Sequence, residues 1–216
     1  MLLEKNDKIL FIGDSITDVG RNRENPADLG AGYPLFVAAY LTAKYPELEL
    51  KITNKGVSGD EVPHLQARWK EDCLDLFPTV VSILVGINDT WHYTEDEMFG
   101  SEKSREQYEE GYRQLLTELK EQGIKKIILL EPFVLPYPAD RKKWRIDLDP
   151  KIETVRKLAV EFNAELITLD GHLNSLGNKN GYQLYTGEDG VHPTYTGHFE
   201  IAREWIKAIE KKGNEL

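Results

Sequence analysis

The sequence contains a single cysteine, Cys73, among its 216 residues. One thiol cannot form an intramolecular disulfide or a multi-cysteine zinc site, so a disulfide-stabilised scaffold and a zinc-finger fold are both excluded. Long apolar runs are missing too. Residues 1–8 are largely polar, and the first apolar run, Ile9–Ile12, is too short for a signal peptide or a membrane span. These absences predict a protein of the reducing cytoplasm.

Positive charge is also scarce: 27 lysines and arginines stand against 37 aspartates and glutamates, for a formal net charge of -10. A surface of this sign repels phosphate backbones and anionic lipid headgroups, so nucleic acid and membranes are poor candidate partners. Hydrophobic residues make up 40% of the chain, which is enough for a substantial core. The length suits one α/β domain, and we expect a single domain over residues 1–216.

Short apolar runs alternate with stretches of helical spacing along the chain. The runs that are typical of buried strands are Ile9–Ile12, Leu50–Thr53, Val80–Val85, Lys126–Leu130 and Leu166–Leu169. The stretches that predict helices are Leu35–Tyr45, Val62–Leu76, Arg105–Gln122, Ile152–Phe162 and Tyr195–Lys211. This alternation predicts a five-stranded parallel sheet with helices on both faces.

The segment Pro132–Pro150 interrupts this pattern with four prolines and a basic cluster. It predicts a long loop over one end of the sheet. For the cluster of Arg141, Lys142, Lys143 and Arg145, a solvated loop or a subunit contact is favoured over substrate binding. A homo-oligomer is therefore left open.

Reactive and donor groups follow the predicted strands, at the edge where parallel α/β sheets bind their ligands. Gly13-Asp14-Ser15 follows the first strand, where glycine permits a tight turn and Ser15 can begin a helix. The segment Asn54–Gly59 follows the second strand and can direct backbone N–H groups at an anion. Gly86-Ile87-Asn88-Asp89 follows the third strand and adds a side-chain amide.

A base and an orienting carboxylate lie near the C-terminus, in Asp189-Gly190-Val191-His192. A turn at Gly190 would let Asp189 reach His192 and hold its ring. Such a pair activates a hydroxyl nucleophile that is weak on its own. Each segment alone is typical of a turn or a helix cap, but their order and their positions after strands favour acyl transfer from a serine, without metal or cofactor.

These segments resemble the four blocks of the SGNH (GDSL) hydrolase superfamily in order: Gly13-Asp14-Ser15, Gly56, Gly86-x-Asn88-Asp89 and Asp189-x-x-His192. The resemblance spans Phe11 to about His198 and implies a flavodoxin-like three-layer α/β/α fold. Longer strings, such as Asn54-Lys55-Gly56-Val57-Ser58-Gly59 and Ala67-Arg68-Trp69, look most like intracellular bacterial acetylxylan esterases.

The resemblance implies a role for each matched residue. Ser15 would attack an ester carbonyl, His192 would take its proton, and Asp189 would orient the imidazole. The backbone N–H groups of Ser15 and Gly56 and the amide of Asn88 would form an oxyanion hole. The implied activity is removal of acetyl groups from sugars or xylo-oligosaccharides.

Alternatives remain at this stage. Trp91 either walls the acyl pocket or is simply a buried aromatic residue. Lysophospholipase or thioesterase activity on longer acyl chains shares all four blocks. A flavin-binding module has the same fold, but it has no use for the Asp189 and His192 pair. A phosphoacceptor domain would need acidic residues where Asp14 and Asp89 stand, with a lysine after a later strand, where this chain has Asp170-Gly171.

Overall fold

A five-stranded parallel sheet forms the centre of the computed structural model, which describes residues 2–210. The strands are β1 (Lys8–Gly13), β2 (Lys51–Gly56), β3 (Val80–Leu84), β4 (Lys126–Leu130) and β5 (Glu165–Ile167). Their order across the sheet is β2-β1-β3-β4-β5, so β1 pairs with both β2 and β3. The chain passes from β1 to β2 on one side and then crosses to β3 on the other side of β1. Such a switch point opens a crevice at the carboxyl ends of the strands.

Eight α-helices surround the sheet in the part of the chain that the structure describes: α1 (Ser15–Asp18), α2 (Tyr33–Lys44), α3 (Val62–Asp72), α4 (Asn88–Trp91), α5 (Glu102–Glu121), α6 (Arg145–Glu161), α7 (Leu169–Asn180) and α8 (Tyr195–Glu210). One hydrophobic cluster joins α2, α7 and α8 to one face of the sheet. A second joins α3, α5 and the second half of α6 to the other face. The predicted three-layer α/β/α fold is confirmed.

The central strand β1 shows why its sequence is a continuous apolar run. Successive side chains of a strand point to opposite faces, and both faces here are covered. Phe11 packs towards α2 and α8, with its ring centroid 5.5 Å from Tyr33 and 5.4 Å from Trp205. Its neighbour Ile12 is equally buried in the opposite cluster. Each such side chain contributes about 1.5–3 kcal/mol when it is buried.

The segment around Pro150 differs from the sequence-based expectation of a long loop. A short 3-10 helix covers Ala139–Trp144, and α6 then begins at Arg145 and continues through Pro150. The helix continues because Leu148 and Ile152, on either side of the proline, are both buried in the core. The burial of this face offsets the hydrogen bond that proline removes.

One other expectation needs correction, and one is not tested. Leu169, taken as the end of the last strand, instead begins α7, a helix that the sequence analysis did not predict. The last predicted residue of the C-terminal helix, Lys211, lies outside the described residues. In residues 2–210, none of the helices carries the long apolar stretch that crossing a membrane requires.

A buried ion pair within α6 is hydrogen-bonded to the short helix α4. Lys151 is 1% exposed and binds the carboxylate of Asp147 one turn earlier. Its ammonium group also donates to the main-chain oxygen of Asp89 over 2.6 Å, and the Thr90 hydroxyl donates to Asp147 over 2.6 Å. The position of α4, and therefore of Asn88, depends on this network.

Replacing Lys151 with methionine leaves Asp147 buried without its cation. We expect Lys151→Met to lower the free energy of unfolding by about 3–5 kcal/mol, as loss of one partner of a buried ion pair does. Equilibrium unfolding in urea measures it. On the same helix, the exposed Lys157 offers a matched control, and Lys157→Met should change stability by no more than about 0.5 kcal/mol. Equal effects of the two substitutions would contradict this account of the network.

Candidate active site

Ser15 is the first residue of α1, directly after β1. The carboxylate of Asp14 caps the helix by accepting the N–H of Ile16 over 2.9 Å. The turn requires glycine at position 13, because a Cβ there would lie 2.0 Å from the main-chain oxygen of Leu84 on β3. The Ser15 side chain is thereby presented at the sheet edge, and its own N–H has no hydrogen-bond partner among residues 2–210.

A chain of hydrogen bonds links Ser15 to His192 and Asp189. Ser15 Oγ lies 2.9 Å from His192 Nε2, and His192 Nδ1 lies 2.6 Å from Asp189 Oδ2. The other carboxylate oxygen of Asp189 accepts the N–H groups of Val191 and His192, each over 2.9 Å. The turn between them depends on Gly190, which has φ +75° and contacts the main-chain oxygen of Tyr137 too closely for any Cβ.

The electrostatics of this pair are those of a base and its counter-ion. The hydrogen bond that His192 donates to Asp189 raises the pKa of His192, and partial burial opposes that shift. Burial is the largest influence on the pKa of Asp189 and would raise it, but the hydrogen bonds from His192 and from two backbone N–H groups outweigh it and lower the pKa to about 2. Asp189 therefore stays charged and holds a proton on Nδ1, leaving Nε2 to accept one from Ser15.

Asn88 begins α4 and is buried, three residues before Trp91, whose ring lies 5.7 Å from that of His192. Asn88 Nδ2 donates to the main-chain oxygen of Asp60 over 3.0 Å, which fixes the orientation of the amide. The Asp60 carboxylate is in turn bound by Arg68 Nε over 2.7 Å. Because an amide nitrogen carries two hydrogens, Asn88 keeps a second N–H for a ligand.

The structure argues against the sequence-based assignment of Gly56 as an oxyanion donor. The N–H of Gly56 already donates to Asn54 Oδ1 over 2.8 Å. A Cβ at this position would lie 2.4 Å from the main-chain nitrogen of Asp18, so Gly56 packs directly against α1. Glycine is required here for the close approach of β2 and α1, and its N–H is not available to a substrate.

Gly59, three residues later, offers what Gly56 does not. It has φ +87°, with open space where a Cβ would stand. Its N–H has no hydrogen-bond partner among residues 2–210. The preceding Ser58 anchors the turn, because its N–H and hydroxyl both donate to Asp18 Oδ2, over 3.0 and 2.8 Å. The signal in the sequence was the second glycine of the Asn54–Gly59 segment, and only the backbone geometry separates the two.

Trp91 lies next to the base. Its ring centroid is 5.7 Å from that of His192 and 5.3 Å from that of Trp144, which belongs to the 3-10 helix before α6. Trp144 is buried and Trp91 half-buried. The two indoles form a continuous aromatic wall on one side of His192.

Two further carboxyl groups, Asp14 and Asp89, are buried near the site. Burial raises the pKa of each to about 7, although each accepts a backbone N–H, Asp14 from Ile16 and Asp89 from Val62 over 3.1 Å. Through these bonds they hold the two loops in place.

Of the other histidines, His198 is buried, which lowers its pKa to about 4. Residues 2–210 contain one group with the composition of a metal site: His172, Glu200 and Glu204, with ligand atoms within 4.8 Å of one another. Both carboxylates are already paired with cations, Glu200 with Arg203 and Glu204 with Lys207. None of these three residues belongs to the group of Ser15, His192 and Asp189.

A nucleophile, a base and an orienting carboxylate at the switch point of a parallel sheet define a serine hydrolase site. The model of the GDSL-like Lipase/Acylhydrolase family matches residues 11–198. The chain belongs to this family, and it is a hydrolase of carboxylic esters. The resemblance stated from the four sequence blocks is thereby confirmed.

Relatives of known structure share the whole fold. An acetylxylan esterase of Geobacillus stearothermophilus is 37% identical over 215 residues, covering 97% of this chain and 96% of the relative. A structure of a catalytic S15A mutant of that esterase has a TM-score of 0.86, with 34% identity over 97% of this chain and 96% of that one.

Two other solved structures come from different sources. One, described as a GDSL-like lipase of Parabacteroides merdae, has a TM-score of 0.89 and 36% identity over 96% of this chain and 97% of that one. The other is an α/β hydrolase from the metagenome of Lake Arreo, with a TM-score of 0.87 and 28% identity over 97% of this chain and 98% of that one.

The titration of His192 predicts how activity depends on pH. A base must be neutral to accept a proton, so kcat/KM should rise with pH through the pKa of His192, with a midpoint above its ordinary value of 6.5. Asp189→Asn removes the main cause of the raised pKa, so the small remaining activity should have its midpoint at lower pH. Initial rates between pH 4 and about 9 measure both curves, and an unmoved midpoint would contradict this coupling.

Proposed function

We propose that the protein is a cytoplasmic esterase that removes acetyl groups from acetylated sugars, including xylo-oligosaccharides, through an acyl-enzyme on Ser15. The observation that carries this proposal is the unbroken hydrogen-bond chain from Ser15 through His192 to Asp189. Further support comes from the Geobacillus esterase, whose catalytic mutants change a serine, an aspartate or a histidine to alanine. Those are the three residue types found here.

The first half of the reaction forms the acyl-enzyme. Ser15 Oγ attacks the acetyl carbonyl carbon while its proton passes to His192 Nε2. The C=O π electrons move to the carbonyl oxygen, and Asp189 stabilises the imidazolium that results. When the tetrahedral intermediate collapses, the bond to the sugar oxygen breaks, and His192 returns the proton to that oxygen.

The second half repeats these steps with water. His192 takes a proton from water, the hydroxide attacks the acetyl carbon, and the bond to Ser15 Oγ breaks with return of the proton. Acetate leaves and the enzyme is restored. No step needs an oxidant, a reductant or a metal.

The oxyanion of each tetrahedral intermediate would be bound by three donors: the N–H groups of Ser15 and Gly59 and the second amide hydrogen of Asn88. All three lie on turns that follow β1, β2 and β3, and none of the three hydrogens has a partner among the described residues. Donors fixed in advance at a site of developing charge are usually the largest single source of catalysis. Gly59 takes the place that the sequence suggested for Gly56.

The acetyl group is favoured by the aromatic wall of Trp91 and Trp144 beside His192. A wall at this position leaves little depth for a longer chain. The alternative is a lipase or thioesterase that accepts long acyl chains; the Parabacteroides merdae structure is described as a GDSL-like lipase. The two candidates share the Ser15 chemistry and differ in acyl length.

Replacing the nucleophile gives the first test. Ser15→Ala should abolish hydrolysis of p-nitrophenyl acetate and keep the same melting temperature within a few degrees, because the side chain lies at the sheet edge. A fluorophosphonate should label Ser15 alone, as checked by peptide mass spectrometry. Hydrolysis at a substantial rate by the alanine variant would rule out this nucleophile.

The second test concerns the oxyanion donors. Asn88→Ala should lower kcat by about 10²–10³ with little change in KM, because the hydrogen bond strengthens in the transition state. In a crystal of the phosphonylated enzyme, the phosphoryl oxygen should accept from Gly59 N at about 2.7–3.1 Å. A contact from Gly56 N instead would restore the original assignment.

Acyl length separates the two candidate functions. Each methylene that fits a pocket contributes about 0.8 kcal/mol, so a long groove would make kcat/KM rise with every added carbon. With a closed pocket kcat/KM falls instead, so p-nitrophenyl acetate should be preferred over the butyrate and octanoate, and acetylated xylobiose should be a substrate. A maximum at octanoate would favour the lipase and leave the Ser15 mechanism intact.

A further inference from the structure

Arg141 belongs to the basic cluster of the segment before α6, but its environment differs from that of its neighbours. Lys142 and Lys143 are exposed, whereas the side chain of Arg141 is only 13% exposed. The sequence favoured a solvated loop or a subunit contact for the whole cluster. A cation held this far out of water needs specific partners within the chain.

The guanidinium group of Arg141 contacts the candidate site at two places. Its Nε donates to the main-chain oxygen of Asp189 over 2.7 Å. Its central carbon lies 4.2 Å from the ring centroid of Trp144 and 5.5 Å from that of Trp91. Trp91 in turn lies against His192. One side chain therefore joins the turn that bears the base to the aromatic wall beside it.

Apart from Arg141, few groups outside the turn from Asp189 to His192 bind its main chain. The N–H of Leu135 donates to the main-chain oxygen of Gly190 over 2.9 Å, and Arg141 holds the preceding carbonyl. The guanidinium also forms an ion pair with Asp140, in which a terminal nitrogen of Arg141 lies 2.6 Å from a carboxylate oxygen. Without Arg141, the carbonyl of Asp189 would lose its partner, and the turn would depend on the bond at Gly190 and on the bond from Gly187 N–H to the main-chain oxygen of His192, 2.8 Å long.

Arginine suits this place in a way that lysine does not. Its guanidinium is planar, so it can lie on an indole face while the N–H at Nε points sideways along the same plane. An ammonium group on a flexible chain supplies a similar charge without a flat face and without a donor at the Nε position. The arrangement thus depends on the shape of the group as well as its charge.

We propose that Arg141 is a positioning residue for the esterase: it fixes the Asp189–His192 turn against the wall of Trp91 and Trp144, and through that wall limits the acyl group. The selectivity part of this proposal rests on the proposed function. The alignment part does not, since it concerns only the reactivity of Ser15. A shift of about 1 Å in a catalytic group can cost on the order of 100-fold in rate.

The test compares Arg141→Met and Arg141→Lys with Lys142→Met, which removes a charge from the same segment but touches neither the turn nor the wall. Two readouts are used: the rate at which a fluorophosphonate labels Ser15, and kcat and KM for p-nitrophenyl acetate and butyrate. Thermal melts confirm folding, and Arg141→Gln replaces Arg141→Met if the methionine variant melts early.

For Arg141→Met we expect labelling and the kcat for acetate to fall at least about tenfold while KM changes less than about twofold. The preference for acetate over butyrate should shrink at least about fivefold, because a loosened wall admits more methylenes. Arg141→Lys should not restore either quantity, and Lys142→Met should match the wild type.

Labelling and kcat at wild-type level in Arg141→Met would overturn the proposal, as would full recovery in Arg141→Lys. A wild-type enzyme that prefers octanoate would refute the proposed acetyl specificity instead. In that case slower labelling of Arg141→Met still supports the alignment role, and unchanged labelling overturns it. The failure of one proposal is thus distinguished from the failure of the other.

Discussion

The hydrogen bond between His192 Nδ1 and Asp189 Oδ2, 2.6 Å long, is the interaction on which the chemistry of this protein depends. It decides which imidazole nitrogen carries the proton and raises the pKa of the ring. A neutral His192 with the other tautomer would direct a proton, and not a lone pair, at Ser15 Oγ. Much of the surrounding structure keeps these two residues aligned with Ser15, which lies 177 positions before His192 in the sequence.

The turns that follow β1, β2 and β3 are joined to one another by side chains that donate to main-chain oxygens. Asn88 is aimed by its bond to the carbonyl of Asp60, which belongs to the turn after β2. Arg68, on α3, joins the same turn to β1 by donating to the main-chain oxygens of Lys55 and Gly13, over 2.8 and 3.3 Å. The side chains of Asn88 and Arg68 therefore link the turns after β1, β2 and β3 into one unit, and the rigid sheet sets the distances between them.

Much of the fold followed from local pattern. The strand β4 was predicted with its observed bounds, and the alternation of strands and helices led to the right layers, because a strand covered on both faces must be apolar throughout. Helix α7 was missed since its sequence, with Gly171 and Gly177, has weak helical propensity and is stabilised by its contacts with α8. The start of α6 was missed for the same reason: burial of Leu148 outweighed the local signal of Pro150.

The site was predictable to the extent that its residues lie next to strand ends. Ser15, Asn88, Asp189 and His192 were placed from order and spacing; the structure joins Ser15, His192 and Asp189 by hydrogen bonds and puts Asn88 at the start of α4, after β3. The spacing could not decide whether Gly56 or Gly59 has a free N–H. That depends on the backbone φ and on the hydrogen bond that the Asn54 side chain accepts from Gly56. The contacts of Arg141 could not be predicted from the sequence either, since they join the segment before α6 to a turn 48 residues later.

The central claim, that Ser15 carries the acyl group during turnover, is tested most directly by trapping that intermediate. Acid quenching during the steady state with acetylated xylobiose, followed by peptide mass spectrometry, should show one acetyl group on the peptide that contains Ser15. The acetylated fraction should decay when substrate is exhausted. Turnover with an unmodified Ser15 peptide, or with the acetyl group on another residue, would contradict the account.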